Sequence, residues 1–203
     1  LLASTPYLLL ANPKLPATTV QEYIALARSK PGTLNFGTGG PGGLTHLAGE
    51  IFNSQARTHI AMVHYKGAPP LTAAAVAGEI DTYLDAPATT MQWIEQGKLR
   101  PLAVTGPQRL PSLPQVPTMR ESGLPDYDVT ITYVILAPAG LPADVRKRIG
   151  DDTLRILGRP QVQQKLQSLG LTLAPADPQA TAQWLQGEQD KYGRVGKAAR
   201  SKG

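Results

Sequence analysis

The sequence predicts an α/β fold whose mostly parallel sheet is covered by helices on both faces. Short apolar segments alternate with amphipathic segments of roughly three helical turns over residues 1–105, as in parallel strands joined by crossover helices. A glycine run over residues 37–43 stands between one such strand and the helix that follows it. The 203 residues, of which 41% are apolar, suffice for one sizeable core or two smaller ones.

The first predicted element is a buried strand over residues 1–11 with a bend at Pro6. Thr18 or Thr19 is expected to cap a helix that ends near Lys30, because apolar residues recur within it at helical spacing. Further strands are expected over 34–37, 59–64, 80–84 and 100–105. Further helices are expected over 45–53, up to Ala77, and over 88–96.

The proline-rich stretch 106–128 predicts an irregular connection with a short helix near 118–122. An apolar, β-branched run then predicts a strand over 129–137. The remaining expected elements are helices over 142–157, 160–169 and 178–196 and a strand over 171–174.

Composition excludes several classes of protein. The absence of cysteine excludes disulfides, thiol catalysis and zinc ribbons. The net charge of +5 is not gathered into a basic cluster with interleaved aromatics, so nucleic acid is not an expected partner. His59 and His64 lack acidic or cysteine neighbours at ligand spacing, so no metal is expected. No acid and base pair and no nucleophile elbow emerges, so we expect neither catalytic residues nor a cofactor.

The glycine run indicates an anion site. Five of its seven positions are glycine, which lets another group approach the backbone amides. The helix that follows adds free first-turn N–H groups and the positive end of its dipole, so a small carboxylate is the expected ligand. The run lacks the ending of a P-loop, and the next strand does not end in the acidic residue of a dinucleotide site. A tight connection that binds nothing is the alternative.

Polar groups also follow two other predicted strands, where ligands of parallel sheets collect. These groups are Tyr65, Lys66 and Gly67 after one strand and Asp85 after the next. With Thr38 of the glycine loop they predict one crevice. Asp85 has the alternative role of N-cap to the helix that begins near Pro87. His46, in a first helical turn, is interpreted as a base or, more commonly at such a position, as a packed or capping residue.

Several short motifs occur in order across nearly the whole chain. They are THLAGE at 45–50, HYKG at 64–67, GEID at 78–81 followed by Asp85, GKLRPLAVT at 97–105, PQVPT at 114–118, ESG at 121–123 and APAG at 137–140. Together they resemble the tripartite tricarboxylate transporter receptors, also called Bug-type extracytoplasmic solute-binding proteins.

The resemblance implies a periplasmic-binding-protein-like fold of type II, a two-lobed Venus flytrap. It implies that residues 1–11 form a first-lobe and hinge strand, 12–128 a complete second lobe, and 129–203 the C-terminal part of a partial first lobe. The family's N-terminal segment and signal peptide are expected to be missing from this chain. Exposed apolar surface on the partial lobe would then favour a homo-oligomer.

The function implied is capture of a small carboxylate in the periplasm, whether a di- or tricarboxylate, an aromatic acid or an amino acid, for delivery to membrane transporter subunits. Such a receptor is not an enzyme. The effector-binding domain of a transcriptional regulator is the alternative, because it can share the two-lobed architecture, and an enzyme ranks third.

The ligand-binding residues expected are Thr38, Gly39, Gly40, Gly42, Gly43, Thr45, His46, Tyr65, Lys66, Gly67 and Asp85. The sequence departs from the family at Gly43, where a serine is usual, and at Thr132 and Val134, where an aromatic residue and a glycine are usual. Hinge closure is expected through residues 11–13 and 127–130. Replacing Asp85 by alanine is expected to weaken ligand binding with little loss of folding.

Overall fold

The computed structural model describes residues 1–200, and the chain forms two compact units. The smaller contains Leu1–Thr5 and Thr130–Tyr192, and the larger contains Pro6–Val129 with the C-terminal segment from Gly193. The first division therefore falls at residue 5 rather than at the expected residue 11, because the second strand belongs to the sheet of the larger unit.

The single strand expected over 1–11 is two strands in two sheets. The strands are β1 (Ala3–Pro6), β2 (Leu8–Ala11), β3 (Asn35–Thr38), β4 (Ala61–His64), β5 (Thr82–Asp85), β6 (Arg100–Val104), β7 (Thr130–Tyr133) and β8 (Thr172–Leu173). The helices are α1 (Val20–Ser29), α2 (Leu44–Ala56), α3 (Ala68–Ala77), α4 (Pro87–Glu95), α5 (Ala143–Leu157), α6 (Pro160–Ser168) and α7 (Pro178–Arg200). Within residues 1–200, no helix is both long enough and apolar enough to cross a bilayer.

The larger unit is built on a five-stranded sheet in the order β4-β3-β5-β2-β6. Strand β3 runs parallel to both β4 and β5, whereas β2 runs antiparallel to its neighbours β5 and β6. Four strands therefore share one direction, in agreement with the predicted mostly parallel sheet, and the reversed strand lies inside it. All four residues of β2 are fully buried, as expected of a strand covered on both faces.

Helix α1 begins where the sequence predicts, because a threonine pair and a glutamate satisfy its first amides. The Thr19 hydroxyl accepts the Glu22 N–H at 3.1 Å, and the Glu22 carboxylate accepts the Thr18 N–H at 2.6 Å. The same backbone bond is the main reason why the pKa of Glu22 lies below its usual range. The helix buries Val20, Tyr23 and Ala27.

The prediction of a short helix near 118–122 is wrong. The backbone there extends the sheet instead, since the Val104 N–H donates to Pro117 O at 2.8 Å and the Met119 N–H donates to Val104 O at 2.9 Å. The Thr118 hydroxyl and the Glu121 carboxylate do form capping bonds with each other's N–H groups. The chain nevertheless turns away at Gly123, whose φ is 93°, before a second helical turn.

The smaller unit holds a three-stranded sheet in the order β7-β1-β8, together with α5, α6 and the first part of α7. The strand expected over 129–137 ends at Tyr133. Its only ladder partner within residues 1–200 is β1, which has four residues, so pairing stops early. Ile135 and Leu136 follow with 53% and 67% of their surface exposed.

The chain crosses between the units three times, at residues 5–6, 129–130 and 192–193, so the segment expected over 129–203 is divided between the units near its end. Inside the larger unit, one fully buried hydroxyl holds the first two crossing segments: Thr105 Oγ1 accepts the Tyr7 N–H at 2.9 Å and donates to Val129 O at 2.6 Å. The expected hinge at 11–13 does not coincide with a crossing. Ala11 lies within β2, and the buried Asn12 amide donates to Ala75 O at 2.7 Å.

Candidate ligand-binding site

The carboxyl ends of β4, β3 and β5 lie side by side at one edge of the larger sheet, because these strands are parallel neighbours. The glycine loop follows β3, residues 65–67 follow β4, and Asp85 is the last residue of β5. Helices α2, α3 and α4 each begin just beyond these strand ends. Three positive helix termini therefore start at the same edge, which suits an anionic ligand.

The glycine loop uses its own amides to hold its shape. Gly39 N–H donates to Thr45 Oγ1 at 3.0 Å, and Gly40 N–H donates to Thr38 Oγ1 at 3.4 Å. Further along, Gly42 N–H donates to His46 Nδ1 at 2.9 Å, and Gly43 N–H donates to Gly40 O at 3.3 Å. Gly40 and Gly42 have φ of 141° and 74°, which explains why the turn needs glycine at both. These four amides are thus occupied within the loop.

The amides left for a ligand belong to the first turn of α2. Its N-cap, Gly43, has no side chain to cap it, and the N–H groups of Leu44, Thr45 and His46 have no acceptor within residues 1–200. The Thr45 hydroxyl accepts the Gly39 N–H, so its hydrogen remains for another acceptor. Three amides, one hydroxyl and a helix dipole are therefore directed beyond the start of a 13-residue helix.

Two histidines support this loop. The His46 and His64 rings meet edge to face at 4.8 Å between centroids, and His64 Nδ1 lies 2.6 Å from Thr38 Oγ1. Thr38 Oγ1 also accepts the Gly40 N–H, and its second lone pair and its own hydrogen allow it either to accept from His64 Nδ1 or to donate to it, according to the tautomer of the ring. Burial, and next the neighbouring His46, hold the pKa of His64 below its usual value. His46 therefore braces the loop, as the packed or capping interpretation expected.

The loop after β4 is tied directly to the glycine loop. Tyr65 N–H donates to Thr38 O at 2.9 Å, and Gly67 N–H donates to Gly39 O at 3.2 Å. Burial, and next Glu79, raise the pKa of the half-buried Tyr65. Lys66 is exposed and pairs with no carboxylate of the described chain, so it contributes positive charge at this edge.

Asp85 is buried, with 7% of its surface exposed. Its Oδ1 accepts the Ala86 N–H at 2.7 Å and its Oδ2 accepts the Thr72 hydroxyl at 3.1 Å. The N-cap of α4 is Ala86, without a side-chain cap bond, so the alternative role of Asp85 as N-cap is wrong. Asp85 instead joins the end of β5 to α3.

Sequence reasoning missed three parts of this arrangement: the role of His64, the link to Thr72, and the free amide of Leu44. His64 had a detectable signal, because it ends a strand predicted to lie beside the one that ends at the glycine loop. Thr72 had none, since a threonine in an alanine-rich helix has no distinguishing pattern. Within residues 1–200, no group of three histidines or acidic residues is arranged to hold a metal.

A cavity of about 370 Å³ lies apart from these residues, within the smaller unit. Its lining is mainly apolar and includes Leu1, Leu2, Ile135, Leu136, Ile149 and Leu185. Its polar lining residues include Arg146, Thr153, Asp177 and Thr181. The edge of the larger sheet remains the candidate site, because the free amides at the start of α2 lie there.

Residues 1–200 match the model of a family described as "Tripartite tricarboxylate transporter family receptor". The chain belongs to this family. One relative, a UPF0065 protein from the tcbD-tcbE intergenic region of Pseudomonas sp. strain P51, is 30% identical over 196 residues, which are 96% of this chain and 58% of the relative. The chain thus spans less than two thirds of that relative's length.

Solved structures of similar proteins share the fold. Rpa4515 of R. palustris with adipate has a TM-score of 0.87 and 30% identity, over 98% of this chain and 66% of that one. The periplasmic binding protein BugD has a TM-score of 0.84 and 25% identity, over 98% of this chain and 67% of BugD. MatC of Rhodopseudomonas palustris with bound malate has a TM-score of 0.82 and 26% identity, over 96% and 66%. The fold is therefore that of the two-lobed solute-binding proteins of this family.

Proposed function

We propose that this chain belongs to a periplasmic receptor that captures a small dicarboxylate and delivers it to the membrane subunits of a tripartite tricarboxylate-type transporter. The observation that carries the proposal is the uncapped start of α2, where three amides and the Thr45 hydroxyl have hydrogens left to donate. Adipate and malate, the ligands of two similar proteins, are both dicarboxylates and so support this ligand class. The family match favours a receptor over the effector domain of a transcriptional regulator.

One carboxylate of the ligand would accept hydrogen bonds from the first-turn amides and from Thr45. Charge-assisted bonds of this kind are stronger than neutral ones, and the helix dipole adds to them. Lys66 would attract the second acid group at the same edge. Thr38 and the amides of Gly39, Gly40, Gly42 and Gly43 would act indirectly, by fixing the loop that presents α2.

We also propose that the larger unit is the second lobe of the receptor and that the smaller unit belongs to the first. Two of the three crossings between units, at 5–6 and 129–130, lie within a few residues of the boundaries that the family resemblance implies for these lobes. In this arrangement the receptor binds and releases its ligand without chemical change, so no catalytic residue is assigned.

The test is calorimetric titration of adipate and malate into the chain and into Thr45 variants. Thr45→Val removes the hydroxyl and should weaken binding by about tenfold or more, since a hydrogen bond to a charged group contributes roughly 1.5–3 kcal/mol. Thr45→Ser keeps the hydroxyl and is the matched control, with an expected change of less than about threefold. Equal affinities for the valine and serine variants would contradict the site.

A further inference from the structure

Two hydrogen bonds that shape the glycine loop end on imidazole nitrogens. Gly42 N–H donates to His46 Nδ1 at 2.9 Å, and Thr38 Oγ1 lies 2.6 Å from His64 Nδ1. A nitrogen that accepts a hydrogen bond must carry a lone pair, which protonation removes. The observed loop therefore requires a neutral His46.

The two rings also disfavour two simultaneous charges. Their centroids are 4.8 Å apart, and like charges at such a distance repel each other. His64 has an alternative when it is protonated, because its Nδ1–H can donate to the Thr38 oxygen in a reversed bond. His46 has none, because its partner in the loop is a backbone N–H.

The charged groups on neighbouring elements include Glu50, four residues after His46 on α2, whose carboxylate opposes this repulsion. The elements concerned are α2 itself, the loop after β4, the segment around Tyr127, whose hydroxyl donates to Ala48 O, and the end of α7, which approaches Leu47 through Gly196. Their ionisable groups are Glu50, Tyr65, Lys66, Asp126, Asp128, Arg194 and Lys197. Strand β3 and helix α3 carry no ionisable side chain.

We propose that His46 makes ligand capture depend on pH, because the glycine loop keeps its binding shape only while the His46 imidazole is neutral and can accept the Gly42 N–H. This inference rests on the proposed function, since it assigns a regulation to the same site. Capture is then favoured near neutral pH, and acidification opens the loop and releases the carboxylate. The lowered pKa of His64 implies a pH dependence in the same direction. The folded state disfavours the charged His64, so the stability that is fully present above about pH 6.5 is lost as the pH falls.

The first measurement follows the loop without any ligand, by the amide NMR signal of Gly42 between pH 8 and pH 5. The signal should shift and its amide should exchange faster as His46 is protonated. His46→Asn places an oxygen near the position of Nδ1 and cannot be protonated in this range, so its Gly42 signal should not titrate. A Gly42 signal that stays constant in the natural chain, or titrates equally in His46→Asn, would overturn the inference.

The second measurement is the dissociation constant of adipate at pH 7.5 and pH 5.5. One pH unit below the ordinary histidine pKa, roughly a tenth of an imidazole is neutral. The affinity of the natural chain should therefore fall by up to about tenfold. In His46→Asn, the dissociation constants at pH 7.5 and pH 5.5 should differ by less than about twofold. Titration of the ligand itself affects both proteins equally, so comparing the two proteins cancels its contribution.

His59→Asn is the matched control, because His59 is the third histidine of the chain and lies outside the loop. It should show the full pH dependence of the natural chain. Equal ratios of the two dissociation constants in the natural chain and in His46→Asn would overturn the inference, even with a moving Gly42 signal. Failure to bind any dicarboxylate at either pH would contradict the proposed function, whereas the Gly42 titration would still show whether His46 controls the loop.

Discussion

Gly43 occupies the N-cap of α2 with φ of −72° and ψ of 167°, a conformation open to any residue. A Cβ atom there would lie 3.3 Å from Gly40 O, so a small side chain fits after a slight movement of the loop. We predict that Gly43→Ser raises the free energy of unfolding by a few tenths of a kcal/mol up to about 1 kcal/mol, because serine caps a helix better than glycine and restricts the unfolded chain.

Urea denaturation of Gly43→Ser and Gly43→Ala measures this effect. Alanine adds the same Cβ atom without the hydroxyl, so only the difference between the two variants reports the cap. The serine variant should be the more stable by about 0.5–2 kcal/mol. If alanine stabilises equally, the hydroxyl forms no cap bond.

The bonds of Asp85 change the expectation that its replacement hardly affects folding. Asp85→Ala leaves the Ala86 N–H and the Thr72 hydroxyl without their acceptor, which should lower the free energy of unfolding by about 1–3 kcal/mol. Asp85→Asn keeps one acceptor oxygen and should lose less. Chemical denaturation measures both, and an alanine variant as stable as the natural chain would contradict a structural role. An unchanged adipate affinity in the asparagine variant would remove Asp85 from direct ligand contact.

At the scale of single residues, the sequence identifies the glycine loop and its neighbours but not which groups remain free. Glycine content reveals where amides are accessible, as at Gly39 and Gly42. Whether an amide is already bonded depends on side chains one turn along, here Thr45 and His46. This pairing follows from the turn geometry, which spacing alone does not specify.

Strand β3 requires glycine at one position because of what packs above it. A Cβ atom on Gly37 would lie 2.3 Å from Ile80 Cδ1 and 2.4 Å from Leu71 Cδ1, and both side chains are only 2% exposed. We predict that Gly37→Ala lowers the free energy of unfolding by about 1–3 kcal/mol, the usual cost of overpacking a core.

Gly49→Ala in α2 is the matched control, measured by the same thermal and urea denaturation. Its Cβ atom would lie 2.8 Å from the flexible end of Met62, which can move aside, and 3.1 Å from Cδ1 of the buried Phe36, which would have to shift by a few tenths of an ångström. The helical preference of alanine, about 1 kcal/mol over glycine, offsets that adjustment. The variant should therefore be near neutral, and equal losses at both positions would refute the packing argument.

At the scale of elements, local signals predict the helices well and the strand partners poorly. Caps and prolines define the start of α1 and α4 within the sequence itself. The direction of β2 depends on distant strands, β5 and β6, which no local pattern reveals. Local signals can also mislead: Thr118 and Glu121 form both bonds of a helix cap, but no helix follows them.

At the scale of the whole molecule, apolar exposure is confined to one unit. The large exposed apolar side chains of the described chain are Tyr133, Ile135, Leu136, Val145, Ile149, Leu154, Ile156 and Leu169, all in the smaller unit. We predict that the chain associates as its concentration rises, because such a surface favours contact with a second copy. Sedimentation velocity over a range of concentrations measures this.

Leu136→Ser should shift the association to higher concentration, since Leu136 is the most exposed of these residues at 67% and lines the cavity. Leu169→Ser is the control, because Leu169 is 49% exposed but does not line the cavity. A chain that stays monomeric at all concentrations would contradict the prediction, as would equal effects of the two substitutions.

The family could be predicted from the order of short motifs, which the match over residues 1–200 confirms. The position of the first crossing could not be predicted, because it depends on which sheet each half of the first eleven residues joins. A run of apolar residues broken by Pro6 is equally compatible with one bent strand or with two strands in separate sheets.

The shared hydroxyl of Thr105 brings Tyr7 and Val129 within the span of two hydrogen bonds. Residues 6–129, the main part of the larger unit, therefore leave the smaller unit and return to it at nearly the same point, like a passenger module inserted into a host sequence. Such a module can be excised or circularly permuted at little cost in loop-closure entropy. Ligand specificity could then be exchanged between relatives by transplanting residues 6–129 as one block.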